Sequence, residues 1–254
     1  MTELEVRLRA VRERHRAFVP YQMAGASPRW LDHLDALVAA GADALEIGLP
    51  FSDPMMDGPV IQEAALRALA AGTTLETAAH ALAGRDLGVP LIAMTYYNVL
   101  YHLGLERAAT VLGDAGIGGT IVPDLPLEEL EPWREASAAA GLATVLLVAP
   151  ATPPERAARV ARASQGFVYA TARMAVTGRS DDAGVAPRVV AAIRAAVDTP
   201  VYVGIGISTP ADAAAAVAVA DGAIVGSALV AQVLGDDDPA GLESAAAAFR
   251  AAVN

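Results

Sequence analysis

Eight short apolar runs, at residues 17–23, 44–49, 91–97, 119–125, 144–149, 167–171, 201–207 and 223–229, alternate with helical segments along the chain. Most are continuously apolar rather than alternating. That pattern belongs to parallel strands covered on both faces, which must be joined by crossover helices. Helices are read at 30–40, 60–71, 74–83, 106–115, 126–140, 153–163, 187–197 and 210–219. Pro at the start and Gly near the end mark many of their boundaries. An extra amphipathic helix over residues 3–15 precedes the first run. Eight βα units in 254 residues, with no linker or low-complexity stretch, predict an α/β chain folded as one (β/α)₈ barrel domain over residues 1–254. An open doubly wound sheet is the alternative; the count of eight favours the barrel.

A barrel needs a large core, and a 54% hydrophobic content supplies it and excludes a disordered chain. The formal net charge of −11 argues against nucleic acid or an anionic membrane as partner. An anionic substrate would have to be held by local amides or a few arginines. The absence of cysteine removes disulfides, thiol catalysis and Cys-ligated metal together. The N-terminal residues are charged and helical in pattern, and no apolar run is long enough to span a bilayer. The expectation is a soluble, cytoplasmic chain.

In a barrel the chemistry sits at the C-terminal ends of the strands and in the loops after them. The second run carries a lone carboxylate, Glu46, among Leu45, Ile47 and Leu49. By strand alternation Glu46 and Gly48 share the face opposite those three residues. If the Leu/Ile face meets the helices, Glu46 points into the barrel. There it is either a satisfied structural group or an acid/base whose pKa is raised by desolvation. Gly48 beside it leaves room for a ligand, which favours the second reading. Asp53 and Asp57 follow in a Pro- and Gly-rich loop, where turn capping competes with a role in the site.

Glycines after three consecutive runs form a second group: Gly178, then Gly204 and Gly206 flanking Ile205, then Gly226-Ser227 opening a helix. Loops after strands seven and eight with a helix N-terminus form a recurrent phosphate cradle, in which amides and the helix dipole hold the dianion. Tight turns alone are the competing explanation. Tyr21, Tyr96, Tyr97 and Tyr169 fall at strand ends, where they either wall a flat apolar ligand or pack the barrel. His15, His33, His80 and His102 are dispersed without ligand spacing, so a metal is not expected.

The stretch from Glu46 to Pro59, reading Glu-Ile-Gly-Leu-Pro-Phe-Ser-Asp-Pro-Met-Met-Asp-Gly-Pro, resembles the signature of the tryptophan synthase α subunit. The resemblance runs on through Met94-Thr-Tyr-Tyr-Asn98, Val122-Pro-Asp-Leu-Pro-Leu-Glu-Glu129, Val148-Ala-Pro150, Val176-Thr-Gly178, Gly204-Ile-Gly-Ile-Ser208 and Val225-Gly-Ser227. It spans essentially the whole chain. It implies a TIM barrel that cleaves indole-3-glycerol phosphate to indole and glyceraldehyde 3-phosphate by a retro-aldol route, without cofactor. It further implies that Glu46 relays a proton at indole C3 and the side-chain hydroxyl, and that Asp57 holds the ring N–H. Tyr169 matches the family's active-site tyrosine, and Tyr21, Tyr96, Ile121 and Val148 fall in the indole pocket. Gly178, Ile205, Gly206, Gly226 and Ser227 fall at the phosphate.

The implied partner is a β subunit in an αββα assembly, met through the loops around Pro50 and Pro54 and around Asp124 and Pro126, with Asp53 at that interface. Two departures stand out. Ala175 precedes Val176-Thr177-Gly178 where the family usually has glycine. Met23 and Ala26 stand in the loop after the first run where Thr and Asp are usual. Other readings are a stand-alone paralogue releasing indole for another pathway, a non-catalytic phosphate-binding barrel that activates a partner, and a sugar-phosphate isomerase or epimerase on the same fold.

Overall fold

The computed structural model describes residues 1–171 and 185–254. After α1 (Glu3–Arg12), the strands β1 (Ala17–Met23), β2 (Leu45–Gly48), β3 (Leu91–Met94), β4 (Ile117–Ile121), β5 (Ala143–Val148), β6 (Val168–Thr171), β7 (Val201–Gly204) and β8 (Gly222–Val225) follow in order. Each pairs in parallel with the next, and β8 returns to β1, closing the barrel. The helices between them are α2 (Trp30–Ala39), α3 (Pro59–Ala70), α4 (Leu75–Leu82), α5 (Tyr97–Leu103), α6 (Leu105–Asp114), α7 (Glu131–Ala139), α8 (Pro154–Ala163), α9 (Val185–Arg194), α10 (Pro210–Val217), α11 (Ser227–Asp236) and α12 (Pro239–Val253). None of the described helices is long and apolar enough to cross a membrane.

The strand count agrees with the apolar runs, but several boundaries differ. The run 91–97 leaves the sheet at Met94, and Tyr97 opens α5. The helix read over 126–140 is a 3₁₀ turn at Leu127–Glu129 followed by α7. Pro132 explains the break, because it has no N–H to donate and fits only the first turn of a helix. The eighth run ends as a strand at Val225. α5 and the long terminal α12 were not read from the sequence.

Two apolar layers result. Leu45, Ile47, Leu146, Val201 and Val203 face the helices. Val19, Ile92, Ile121, Val145, Phe167, Tyr169, Tyr202 and Ile224 fill the barrel together with Leu4, Leu8 and Val11 of α1. The extra N-terminal helix is therefore a plug for the N-terminal mouth. A Cβ on Gly119 would lie 2.7 Å from Leu4 Cδ2, and one on Gly166 2.8 Å from it, so these glycines make room for the plug.

Beside the plug, Asp43 accepts from the Phe18 amide (2.9 Å) and Arg250 (3.1 Å) and lies 2.7 Å from His15 Nε2. Asp221 accepts from the Val201 amide (3.0 Å), Arg16 (3.2 Å) and Arg194 (3.0 Å). Groups at this end of a barrel serve stability rather than chemistry. Leu8→Ala should destabilise the chain by about 2–5 kcal/mol in denaturant unfolding. A loss below about 0.5 kcal/mol, the size of a surface change, would mean that α1 is not part of the core.

Candidate active site

Glu46 is 1% exposed and lies in register with Tyr21 of β1 and Ile92 of β3. Its neighbours Leu45 and Ile47 belong to the helix-facing layer, which turns the Glu46 side chain inward. Its Oε2 is buried with no hydrogen-bond partner among the described residues. Burial, and secondarily the Asp57 carboxylate, push its pKa up to about 8.

Asp57 is half-buried in the loop after β2 and its own pKa is pushed up to about 6 by burial, against a hydrogen bond from the Tyr96 hydroxyl. That hydroxyl also accepts the Met56 amide at 2.9 Å, and the Tyr96 ring stacks on Phe51 at 5.1 Å. Within the loop the Asp57 amide donates to the Pro54 carbonyl at 3.1 Å. Gln62 of α3 donates to the Asp57 carbonyl at 2.9 Å. The end of β3 thus pins the loop that carries the second carboxylate.

Tyr21 and Tyr169 complete the group. Burial raises both phenol pKa values first, and the Asp57 and Glu46 carboxylates raise them further. Both rings lean over glycines. A Cβ on Gly48 would fall 1.9 Å from the Tyr21 hydroxyl, and one on Gly204 2.1 Å from that of Tyr169. The sequence reading that Gly48 leaves open space for a ligand is therefore corrected: the Tyr21 side chain fills it.

A narrow space lies beside Asp57, walled by Tyr21, Met23, Leu49, Phe51, Ala65, Met94, Thr95 and Tyr96. Its mostly apolar walls suit a flat ring. Phe51, Met94 and Thr95 were not singled out from the sequence. They stand within the motifs that carry the family resemblance, which gave them no role of their own. Ile121 is fully buried inside the barrel. Val148 is set apart from this group: it packs in the helix-facing layer, and its neighbour Leu147 is on the inward face. Both faces of β5 are apolar, so the run gave no sign of which residue points in.

Across the barrel mouth, β7 ends in Gly204, followed by Ile205 at φ 61° and Gly206 at φ 98°. A β-branched residue in this region is strained by about 1–2 kcal/mol. The next amides, Ser208 and Thr209, are taken up by the Asp212 carboxylate at 3.0 and 2.9 Å. After β8, Gly226 caps α11 with no side-chain hydrogen bond to the first-turn amides, and Ser227 opens the helix. Gly178, like Ala175, lies outside the described residues. No group of three metal-ligating side chains occurs among the described residues. Of the histidines, His33 is fully buried and His15 pairs with Asp43.

The Glu46 and Asp57 shifts carry a stability consequence. A carboxyl whose folded-state pKa is raised stabilises the fold below its unfolded pKa, near 4.5 for Glu46, and that contribution is lost as pH rises through about 8. Between these limits the ligand-free protein should lose stability on the order of a few kcal/mol. Denaturant midpoints across this range would show it, with Glu46→Gln flattening the slope. A midpoint rising with pH would contradict the burial of Glu46.

Residues 8–253 match the model of the family described as Tryptophan synthase alpha chain. The tryptophan synthase alpha chain of Thermobifida fusca is 47% identical over 210 residues, covering 81% of this chain and 78% of that one. That of Halorhodospira halophila is 43% identical, covering 100% of this chain and 97% of that one. Among solved structures, Mycobacterium tuberculosis tryptophan synthase superimposes with a TM-score of 0.90 at 37% identity, covering 99% of this chain and 98% of that one. The alpha subunit of Legionella pneumophila does so at 0.88 and 31%, covering 100% and 98%. The chain belongs to the tryptophan synthase alpha chain family, the lyase that cleaves indole-3-glycerol phosphate to indole and glyceraldehyde 3-phosphate in tryptophan biosynthesis.

Proposed function

We propose that Glu46 and Asp57 carry this cleavage, Glu46 as the proton relay and Asp57 as the ionised partner of the ring, with the amides after β7 and β8 holding the substrate phosphate. One observation carries the reading: two neighbouring carboxyls whose pKa values are pushed apart, to about 8 and about 6. Between those values Glu46 holds its proton while Asp57 is ionised, which divides the proton donor from the charge stabiliser. Glu46 gives its proton to indole C3. Asp57 takes the ring N–H in a hydrogen bond and offsets the positive charge that spreads over the ring. The Glu46 carboxylate then removes the proton of the adjacent hydroxyl. The C–C bond breaks, its electron pair returns to the ring, and the carbonyl of the aldehyde forms.

Glu46 ends the cycle protonated, so no external base is needed and no cofactor is called for. The chain contains no lysine at all, which rules out the imine route to aldol cleavage through a lysine side chain. Tyr21, Tyr96 and Tyr169 form the walls around the ring. Ile205, Gly206, Gly226 and Ser227 take the phosphate end.

The same reading has a β subunit docking over the loops at Pro50 to Pro54 and Asp124 to Pro126, as in an αββα heterotetramer. Support comes from adjacent exposed apolar side chains of the loop after β2, Met55 (78%) and Met56 (43%). Asp124 accepts the Tyr97 amide at 2.9 Å, which ties its loop to α5. Indole release by the purified chain should be slow alone and rise on adding a cognate β subunit. Fast turnover that the β subunit leaves unchanged would favour the stand-alone paralogue. No release under either condition would favour the non-catalytic barrel.

A further inference from the structure

The helix after β8 ends against its own electrostatics. Asp236, Asp237 and Asp238 are consecutive, and carboxylates at a helix C-terminus oppose the helix dipole. Asp237 also adopts the left-handed region, at φ 49°. The surroundings offset this cost. Ser27, in the loop after β1, donates a short hydrogen bond to Asp237 Oδ1. The Arg29 amide in turn donates to Ser27 Oγ at 2.9 Å, and the Arg29 guanidinium to the Asp237 carbonyl at 3.3 Å. His33 Nε2 of α2 lies 3.3 Å from the same Oδ1 without hydrogen-bond alignment, and Gln22 of β1 is 3.5 Å from its Nδ1. Arg67 of α3 donates to the Leu234 carbonyl at 3.0 Å.

The C-terminal end of α11 is therefore held by hydrogen bonds from Ser27 and Arg29 of the loop after β1 and from Arg67 of α3, with His33 of α2 beside it. The opposite end, about 15 Å away for ten residues at 1.5 Å each, is the Gly226-Ser227 terminus. Among the described residues no side chain caps that terminus, so the direction of its amides depends on how the helix is held elsewhere.

We propose that Ser27 and Asp237 form a positioning clamp that aims the N-terminal amides of α11 at the substrate phosphate. The clamp rests on the phosphate reading given above and adds the residues that set its affinity. Ser27 touches no reacting atom; it acts through Asp237 and the helix.

The test uses the full chain and calorimetric titration with glycerol 3-phosphate and, separately, indole. Ser27→Ala should weaken glycerol 3-phosphate binding about tenfold, the scale of one lost hydrogen bond to a charged group, and leave indole affinity unchanged. KM for indole-3-glycerol phosphate should rise with kcat held within about twofold, since binding rather than the bond-breaking step is disturbed. Ser27→Thr, which keeps the hydroxyl, should restore phosphate affinity. Asp237→Asn, which keeps an acceptor and a residue tolerant of the left-handed region, should fall between, near threefold.

Gly226→Asp separates the two claims. If it abolishes phosphate binding while Ser27→Ala leaves that binding intact, the clamp is wrong and the cradle stands. If Ser27→Ala weakens both ligands equally, its role is general stability and the clamp is likewise wrong. If Gly226→Asp leaves phosphate affinity unchanged, the cradle fails and the clamp with it.

Discussion

Glu46→Gln should cut indole release by about 10³-fold while the substrate still binds, because the amide keeps the shape of the side chain but cannot hand a proton to C3. Glu46 is the buried carboxyl with an unpartnered oxygen inside the barrel, so its replacement removes the acid and leaves the surroundings packed. The same variant should be more stable than the parent at pH 8, since it takes away the cost of ionising a group with a pKa of about 8. Lost activity joined to gained stability distinguishes a functional carboxyl from a structural one. Steady-state indole release together with denaturant unfolding reads both quantities. A variant that keeps its activity, or that loses stability with its activity, would assign Glu46 to the fold.

Gly226→Asp should weaken glycerol 3-phosphate binding by at least about a hundredfold without lowering the thermal midpoint. A Cβ there meets Cβ, Cγ and Cδ1 of Tyr21 at 3.7–3.9 Å, an ordinary contact, so the side chain fits. The Gly226 backbone, at φ −108° and ψ −88°, is not the extended one of a capping residue, so no added stability from a new cap is expected. The same carboxylate would sit where the phosphate is proposed to sit. A unit charge at about 4 Å costs roughly 4 kcal/mol at an effective dielectric of about 20, before any screening by salt. Calorimetric titration and a thermal melt measure the two effects independently. Unchanged affinity would remove the phosphate from the α11 terminus.

The parts of this architecture that were legible in the sequence are those with a local signal. Eight continuous apolar runs bounded by Gly or Pro are enough to count strands, because buried parallel strands have no polar face. Glu46 stood out because a lone carboxylate in such a run needs a reason. The interior of β5 was not legible for the same cause that made the strand easy to find: with both faces apolar, nothing marks Leu147 rather than Val148 as the inward residue. The hold on Asp57 was also hidden. Tyr96 fixes the loop through the Met56 amide, 40 residues away in sequence, and only the closed barrel brings them together. Gly48 misled in an instructive way, since a missing side chain says that something approaches, and here the approaching group is the Tyr21 hydroxyl.

The pH dependence of kcat/KM for indole release tests the division of labour between the two carboxyls most directly. With Asp57 ionised above about 6 and Glu46 protonated below about 8, the profile should be a bell with limbs near those values. Asp57→Asn should lower the whole curve and remove its acid limb. A profile that stays flat from about pH 5 to 9, or an acid limb that survives in Asp57→Asn, would contradict the assignment of Glu46 as proton donor and Asp57 as ionised partner.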